Sequence, residues 1–334
     1  MIKTAVALVF FALAAHVPRA AACSACGCTL SSDWASQGLA ASGGWRFDAR
    51  FDYFSQDQLR RGSDAVSRGS LRIPNDDEIQ QYTINRNYSF AADYSPSRDW
   101  GVNVMLPWFN RSHATIAGGD TDISTSHDSG IGDLRVIGRY TGFDAQRSTG
   151  FEFGLKLPTG TFGSDFRSGP QAGGLSRPSS ASEAQGPLSG APLDRGLQLG
   201  TGTTDLLLGV YNFGMLAENW GYFAHALLSQ PLNSREAFRP GAGVNVNLGL
   251  RYAASASFQP QLQVNARVEK RESGANADVD NSGATLVYLS PGFNWDVTRR
   301  FSAYAFVQKP LYQRVNGLQI EARWLASIGL HYIF

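Results

Sequence analysis

Trp45-Arg46-Phe47-Asp48-Ala49-Arg50-Phe51-Asp52-Tyr53 carries an apolar residue at every odd position and a charge at every even one. Side chains of an extended chain point alternately to opposite faces, so this stretch predicts a strand with one oily and one ionic surface. The same period of two returns at Val244, Val246, Leu248, Leu250 and Tyr252, opposite Asn245, Asn247 and Arg251. It returns again at Leu262, Val264, Ala266 and Val268, opposite Gln261, Gln263, Asn265, Arg267 and Glu269. Helical periodicity is nowhere sustained.

Working outward from that strand, the pattern predicts twelve segments, at about 45–54, 82–94, 100–110, 130–142, 150–162, 200–213, 220–231, 241–254, 260–271, 283–296, 301–311 and 318–334. Short connections fall near Ser95–Asp99, Asp144–Thr149, Ala217–Asn219, Ser255–Gln259 and Val297–Arg300. Longer ones cover about 55–81, 111–129, 163–199, 232–240, 272–282 and 312–317 on the other side. An even strand count with short turns at one rim and long loops at the other predicts an all-β fold, a transmembrane antiparallel up-and-down barrel of the bacterial outer-membrane type with about twelve strands. A closed sheet has no edge, so every backbone polar group finds a partner inside hydrocarbon while oily side chains face lipid. Tyr82, Tyr94, Trp100, Trp108, Trp220, Tyr222, Trp295 and Trp324 fall mainly near strand ends, where they would form two interfacial girdles. Three places break the pattern. Arg86 is in register with lipid-facing Tyr88 and Phe90, and 220–229 and 301–307 are apolar on both faces.

Composition agrees with sheet. The 334 residues include 36 Gly, 20 Phe, 12 Tyr and 7 Trp, and only 17% are charged, 29 Lys+Arg against 28 Asp+Glu. That balance carries no charge excess of the kind a nucleic-acid partner selects. The longest unbroken apolar run, Ala5–Ala15, is too short to span a bilayer as a helix. Met1–Lys3, an apolar stretch Thr4–Val17 and the small residues Ala20-Ala21-Ala22 read as a Gram-negative export signal. The chain therefore divides into a signal at 1–22, a periplasmic segment at 23–44 and a barrel at 45–334.

Three segments carry a family resemblance: Gly130-Ile131-Gly132-Asp133-Leu134 through Arg139-Tyr140, Leu155-Lys156-Leu157-Pro158-Thr159-Gly160, and Gly200-Thr201-Gly202 with Asp205 and Tyr211. They resemble the outer-membrane family associated with phenol degradation by the meta-cleavage pathway. The resemblance covers roughly 130–213 by motif and the whole barrel by pattern. It implies an outer-membrane channel or transporter for a small solute, often hydrophobic or aromatic. The last strand, with Leu330, Tyr332 and Phe334 at alternate positions, looks like the signal such barrels present to their insertion machinery.

The residues suggest their own sites. Arg46, Asp48, Arg50, Asp52, Asp133, Arg135, Arg139, Glu152, Lys156, Arg251, Arg267, Glu269, Glu321 and Arg323 are the candidate lumen lining. Either they bridge one another and fill a narrow barrel, or they form a selectivity lining. Asp133, Arg135 and Arg139 share a face and suggest a charge ladder, while Gly130, Gly132, Pro158 and Gly160 suggest a distorted wall. Cys23, Cys26 and Cys28 are spaced for Cu or Zn, for a disulfide, or for lipidation at Cys23. No cofactor is otherwise required. The segment Thr29–Gly44 is long enough to enter the lumen as a plug, and the loop at 163–199 either stays outside or folds inward as a constriction. The polar loop around Asp120, Asp122, Ser124, His127 and Asp128 lacks the Gly and Glu of a calcium loop, and no catalytic spacing is present. Expected, then, is a non-enzymatic channel in the outer membrane, both termini periplasmic, whose partners are lipid, insertion machinery and a small solute. The alternative is a non-conducting barrel whose cysteines engage a metal or redox partner.

Overall fold

The structure is a computed structural model and describes residues 30, 36–38, 43–163, 186–188, 193–255 and 257–334. The signal and Cys23, Cys26 and Cys28 lie outside the described residues. Thirteen strands follow one another: β1 Gly44–Gly62, β2 Asp64–Ala65, β3 Ile79–Ser95, β4 Trp100–Ile116, β5 Ser124–Ile131, β6 Leu134–Tyr140, β7 Thr149–Leu157, β8 Asp205–Ala217, β9 Trp220–Pro231, β10 Gly243–Tyr252, β11 Phe258–Glu269, β12 Ala284–Asp296 and β13 Phe301–Ile333. Two single-turn 3-10 helices, Arg68–Ser70 and Arg195–Leu197, complete the described elements. Eleven strands form a ring, β13-β12-β11-β10-β9-β8-β7-β6-β4-β3-β1, that β13 closes against β1. Strands β2 and β5 stand off that path, so the fold is an antiparallel closed barrel.

Eleven straight strands cannot make a ring in which every neighbour is antiparallel, because direction must alternate an even number of times. The resolution lies in β13. Its 33 residues would stretch about 110 Å if extended. Instead the Tyr304 ring fills the place that a Cβ on Gly329 would take, and Gln313 Nε2 donates to the Ala322 carbonyl at 2.8 Å. The element doubles back at Gly317 (φ +49°), its first arm on β12 and its second on β1, so the chain crosses the wall twelve times. The expected loop at 312–317 contracts to that turn.

Strands β5 and β6 share one edge of β4, with Ser124 to Ile131 opposite Thr115 to Trp108 and Arg135 to Tyr140 opposite Met105 to Trp100. They are one crossing interrupted at Gly132-Asp133, and it begins earlier than the sequence pattern indicates. Likewise β1 and β4 run on to Gly62 and Ile116, through much of what the sequence reads as loop. Leu59, Ile79, Ile116, Leu318 and Ile320 bury one another inside this extension. Beyond the exposed apolar and aromatic band the outer face is no longer oily, so alternation fades there while the ladder continues.

The oily face points out. Trp45, Phe47, Phe90, Trp100, Val102, Val104 and Trp108 are exposed, whereas Arg46, Asp52, Asn85, Asp93, Arg139, Glu152, Gln263 and Asn265 are buried inside. Aromatic pairs such as Trp45–Tyr94, Trp100–Tyr140 and Trp220–Tyr252 ring the rim where β1 starts and β13 ends. The two doubly apolar segments place Phe223, Tyr304 and Phe306 inward. The bore is therefore partly apolar, and Gly249 leaves the space that the Phe223 ring occupies, where an added Cβ would collide with it.

Candidate functional site

Inside the wall the charges meet in pairs. Asp93 sits between two guanidiniums, accepting from Arg46 Nε at 3.0 Å and Arg139 Nη1 at 2.9 Å, close to the rim where β1 starts and β13 ends. Arg50 Nε donates to Asp52 at 2.9 Å, and Ser327 Oγ donates to the same carboxylate at 2.6 Å. Asp48 accepts from the Tyr304 hydroxyl at 3.0 Å. His225 Nε2 and Glu152 lie 2.9 Å apart, and Arg267 forms an ion pair with Glu269. Paired charges of both signs leave no single-sign field along these positions. Arg135 differs. It lies on the inward face, four residues before Arg139, and makes no hydrogen bond or ion pair with a described residue.

Described residues of two chain segments lie in this interior. From the terminal rim, Leu30 packs on Tyr304 and Phe306, and its carbonyl accepts from Arg50 Nη1 at 3.5 Å. Gln37 meets β10 and β11, where Gln261 Nε2 donates to its side chain at 3.1 Å and Arg251 Nη1 to its carbonyl at 3.4 Å. Gly38 (φ +72°) lies so close to the Phe213 ring that a Cβ there would collide with it. These contacts put part of the N-terminal segment in the bore.

The second segment comes from the long loop. Leu193 and Leu197 bury together with Leu188 beside them, and Arg111 Nη1 donates to the Leu197 carbonyl at 2.6 Å while its Nε donates to Asn85. The described part of the loop thus folds inward. Burial pushes the Asp194 carboxyl up to about 6, helped by repulsion from Glu78 and Asp278, although the Gly196 amide donates to it at 3.0 Å.

The three segments of the family resemblance converge where the wall is broken. Asp133 accepts from the Gly160 amide at 3.1 Å, the Thr201 amide at 2.9 Å and Thr201 Oγ1 at 2.8 Å. Lys156 Nζ lies 3.5 Å from Asp133 and 2.9 Å from Asp205, which also accepts from Thr203 Oγ1 and Ser229 Oγ. Thr159 Oγ1 donates to the Gly132 carbonyl at 3.1 Å and accepts from the Leu134 amide at 2.9 Å. A Cβ on Gly160 would stand 2.7 Å from Gly200 Cα and 2.9 Å from the Gly132 carbonyl carbon. Three backbones touch here, with no room for a side chain between them. Beyond this knot β7 has ended at Leu157 and β8 starts only at Asp205, while β5 pairs with β4 alone among the described strands. Side-chain bonds replace a hydrogen-bonded ladder along that seam.

Several residues stand elsewhere than the alternation predicts. Asp133 bonds across the seam instead of forming a ladder with Arg135 and Arg139. Arg323 leaves the lumen set: its side chain is 62% exposed on the outer surface, 3.1 Å from Asp57, because the strand is irregular opposite Phe54–Gln58 and the alternation shifts there. Arg251, Arg267, Glu269 and the buried Glu321 stay inside. Leu330 and Phe334 face outward, with Tyr332 on the same register, and the Phe334 ring packs on Phe47 and Tyr332. The sequence pattern did not single out Asp93, His225 or Arg111, although period-two counting from Asn85 and Asn87 reaches Asp93.

These features define an antiparallel barrel with a polar, obstructed bore. No family model and no curated protein matches the chain. Its fold is similar to the crystal structure of an outer membrane channel from Pseudomonas putida F1, with a TM-score of 0.62 and 12% identity over 88% of this chain and 97% of that one. Looser overlays include the Ralstonia pickettii toluene transporter TbuX, TM-score 0.45 and 11% identity over 91% and 92% of the two chains. A Pseudomonas aeruginosa FadL homologue gives 0.43 and 8% over 86% and 90%.

Proposed function

We propose that the protein is an outer-membrane channel for a small solute that carries no net charge and is apolar or aromatic. The observation that carries this reading is the inverted barrel, oily outside and polar within, whose lining charges largely neutralise one another. A charged solute needs a field of one sign to be drawn in, but the excess cation of Arg46–Asp93–Arg139 is offset by the excess anion of Asp133–Lys156–Asp205, and Arg50 is balanced by Asp52. Inward Tyr211, Phe223, Tyr304 and Phe306 offer apolar footing beside them. The resemblance to the meta-cleavage family supports an aromatic cargo, and the short-turn rim supports periplasmic termini.

The test is reconstitution of the mature chain in liposomes, with flux of benzyl alcohol, phenol, glucose and benzoate compared. Phenol and benzyl alcohol should outpace benzoate and glucose at equal gradients. A folded barrel that passes none of them overturns the channel, and one that favours benzoate overturns the neutral cargo. Arg135→Gln should lower anion over cation permeability in planar bilayers without closing the channel.

A further inference from the structure

One anomaly of the sequence pattern survives in the structure. Arg86 faces outward, one step past exposed Tyr88 on β3, opposite Tyr53 on β1 and Asn110 on β4. It therefore sits just beyond the aromatic pair Tyr88 and Trp108, where hydrocarbon gives way to headgroups. Two more cations share that outer edge: Lys309, exposed two residues past Val307, and Arg323, next to Trp324. Arg86 and Lys309 make no hydrogen bond or ion pair with a described residue, and Arg323 has only the exposed Asp57. Long cationic side chains at a bilayer edge snorkel to headgroup level, where they attract lipid anions.

Directly below them the wall is hollow. A depression of about 520 Å³ opens between Phe51, Tyr53, Phe293, Val307 and Ile328, with Ala305 in its floor. It spans β12, both arms of β13 and β1, between Lys309 and Arg323 on β13 and Arg86 on neighbouring β3, and its lining is apolar, which fits a hydrocarbon chain. Arg86 on β3 and Lys309 on the first arm of β13 stand three strand spacings apart, roughly 14 Å. A headgroup with two phosphates gives each of these separated cations its own anion, where a single phosphate would have to be shared.

We propose that this face binds a diphosphorylated, multiply acylated glycolipid of the leaflet at the long-loop rim, its phosphates on Arg86, Lys309 and Arg323 and one acyl chain in the depression. The proposal rests on the outer-membrane reading above. Charge-assisted bonds fix the headgroup, and apolar burial fixes the chain. The experiment uses the full mature chain purified in detergent, with folding checked by heat-modifiable mobility and by solute flux. Binding of diphosphoryl lipid A, monophosphoryl lipid A and phosphatidylglycerol is then compared by native mass spectrometry. Diphosphoryl lipid A should bind at least tenfold tighter than the other two. Combined Arg86→Gln, Lys309→Gln and Arg323→Gln should remove that advantage, and Ala305→Phe, which fills the hollow, should weaken all three lipids severalfold. Equal binding of the three lipids by the natural protein, or an unchanged preference in the triple variant, overturns the proposal. Absent flux with intact lipid preference counts against the channel alone.

Discussion

The wall around β13 and β1 and the wall between β5 and β8 solve the same problem by different chemistry. Between β13 and β1 the backbone ladder runs from Arg46 opposite Ile333 to Leu59 opposite Ile320, with few interruptions. Its bonds belong to the peptide and survive most changes of side chain. Between β5 and β8 the strands fall short of one another, and Asp133 and Thr159 supply side-chain partners for the Gly160, Thr201 and Leu134 amides and the Gly132 carbonyl, with Lys156 bridging Asp133 and Asp205 beside them. A barrel needs every polar group satisfied, but it does not need every one satisfied by a strand. The consequence is that sequence sensitivity is concentrated at the seam.

That contrast can be broken most sharply at Asp133. Asp133→Ala strands the Gly160 and Thr201 amides and leaves Lys156 with one carboxylate, so a loss of about 3 kcal/mol is expected in urea unfolding from lipid vesicles. A loss under about 1 kcal/mol would show the seam to be as tolerant as the ladder. Gly160→Ala comes next, at about 2 kcal/mol, because the new methyl meets backbone on two sides. Gly221→Ala, whose nearest neighbour would be the Arg251 side chain at 3.4 Å, is the matched control and should be nearly neutral.

A subtler difference is pH dependence. With its carboxyl pushed up from 3.8 to about 6, Asp194 holds a proton in the inward-folded loop that it would release in solvent. Packing of 193–199 is therefore fully held below about pH 4 and weakens as pH rises through about 6. The Gly196 amide and His113 temper the charge, while Glu78 and Asp278 oppose it. Amide exchange at Gly196–Leu199, corrected for intrinsic rates, should be slower at about pH 5 than at about pH 7.5, and Asp194→Asn should abolish the difference. Smallest of all, Ser327→Ala on the ladder side should cost about 1 kcal/mol, since Asp52 keeps Arg50.

Alternation made the spanning parts legible, and the outward or inward assignment of Trp45 through Tyr53 follows from it directly. It failed where the constraint behind it lapses. Past the oily band the outer face of β1 need not be apolar, so Gln56 and Gln58 resemble loop although they pair in the ladder. The seam was legible as three motifs but not as one place, because nothing along the chain reveals that Asp133 and Thr201, 68 positions apart, share a hydrogen bond. The inward Leu30 and Gln37 were foreseeable only as a length of chain able to reach. Their actual partners, Tyr304 and Gln261, depend on side-chain shape inside a bore that no local pattern describes.

The pairing of Arg46 with Ile333 makes the ring's last seal also its most distant one along the polypeptide. Every other seam can zip as neighbouring hairpins emerge, but this one waits for the entire molecule to be delivered. A chain shortened by the second arm of β13 would enter the bilayer as a curved ribbon with two bare margins. Each margin would be free to capture a second copy or to be cleared as an unfinished product.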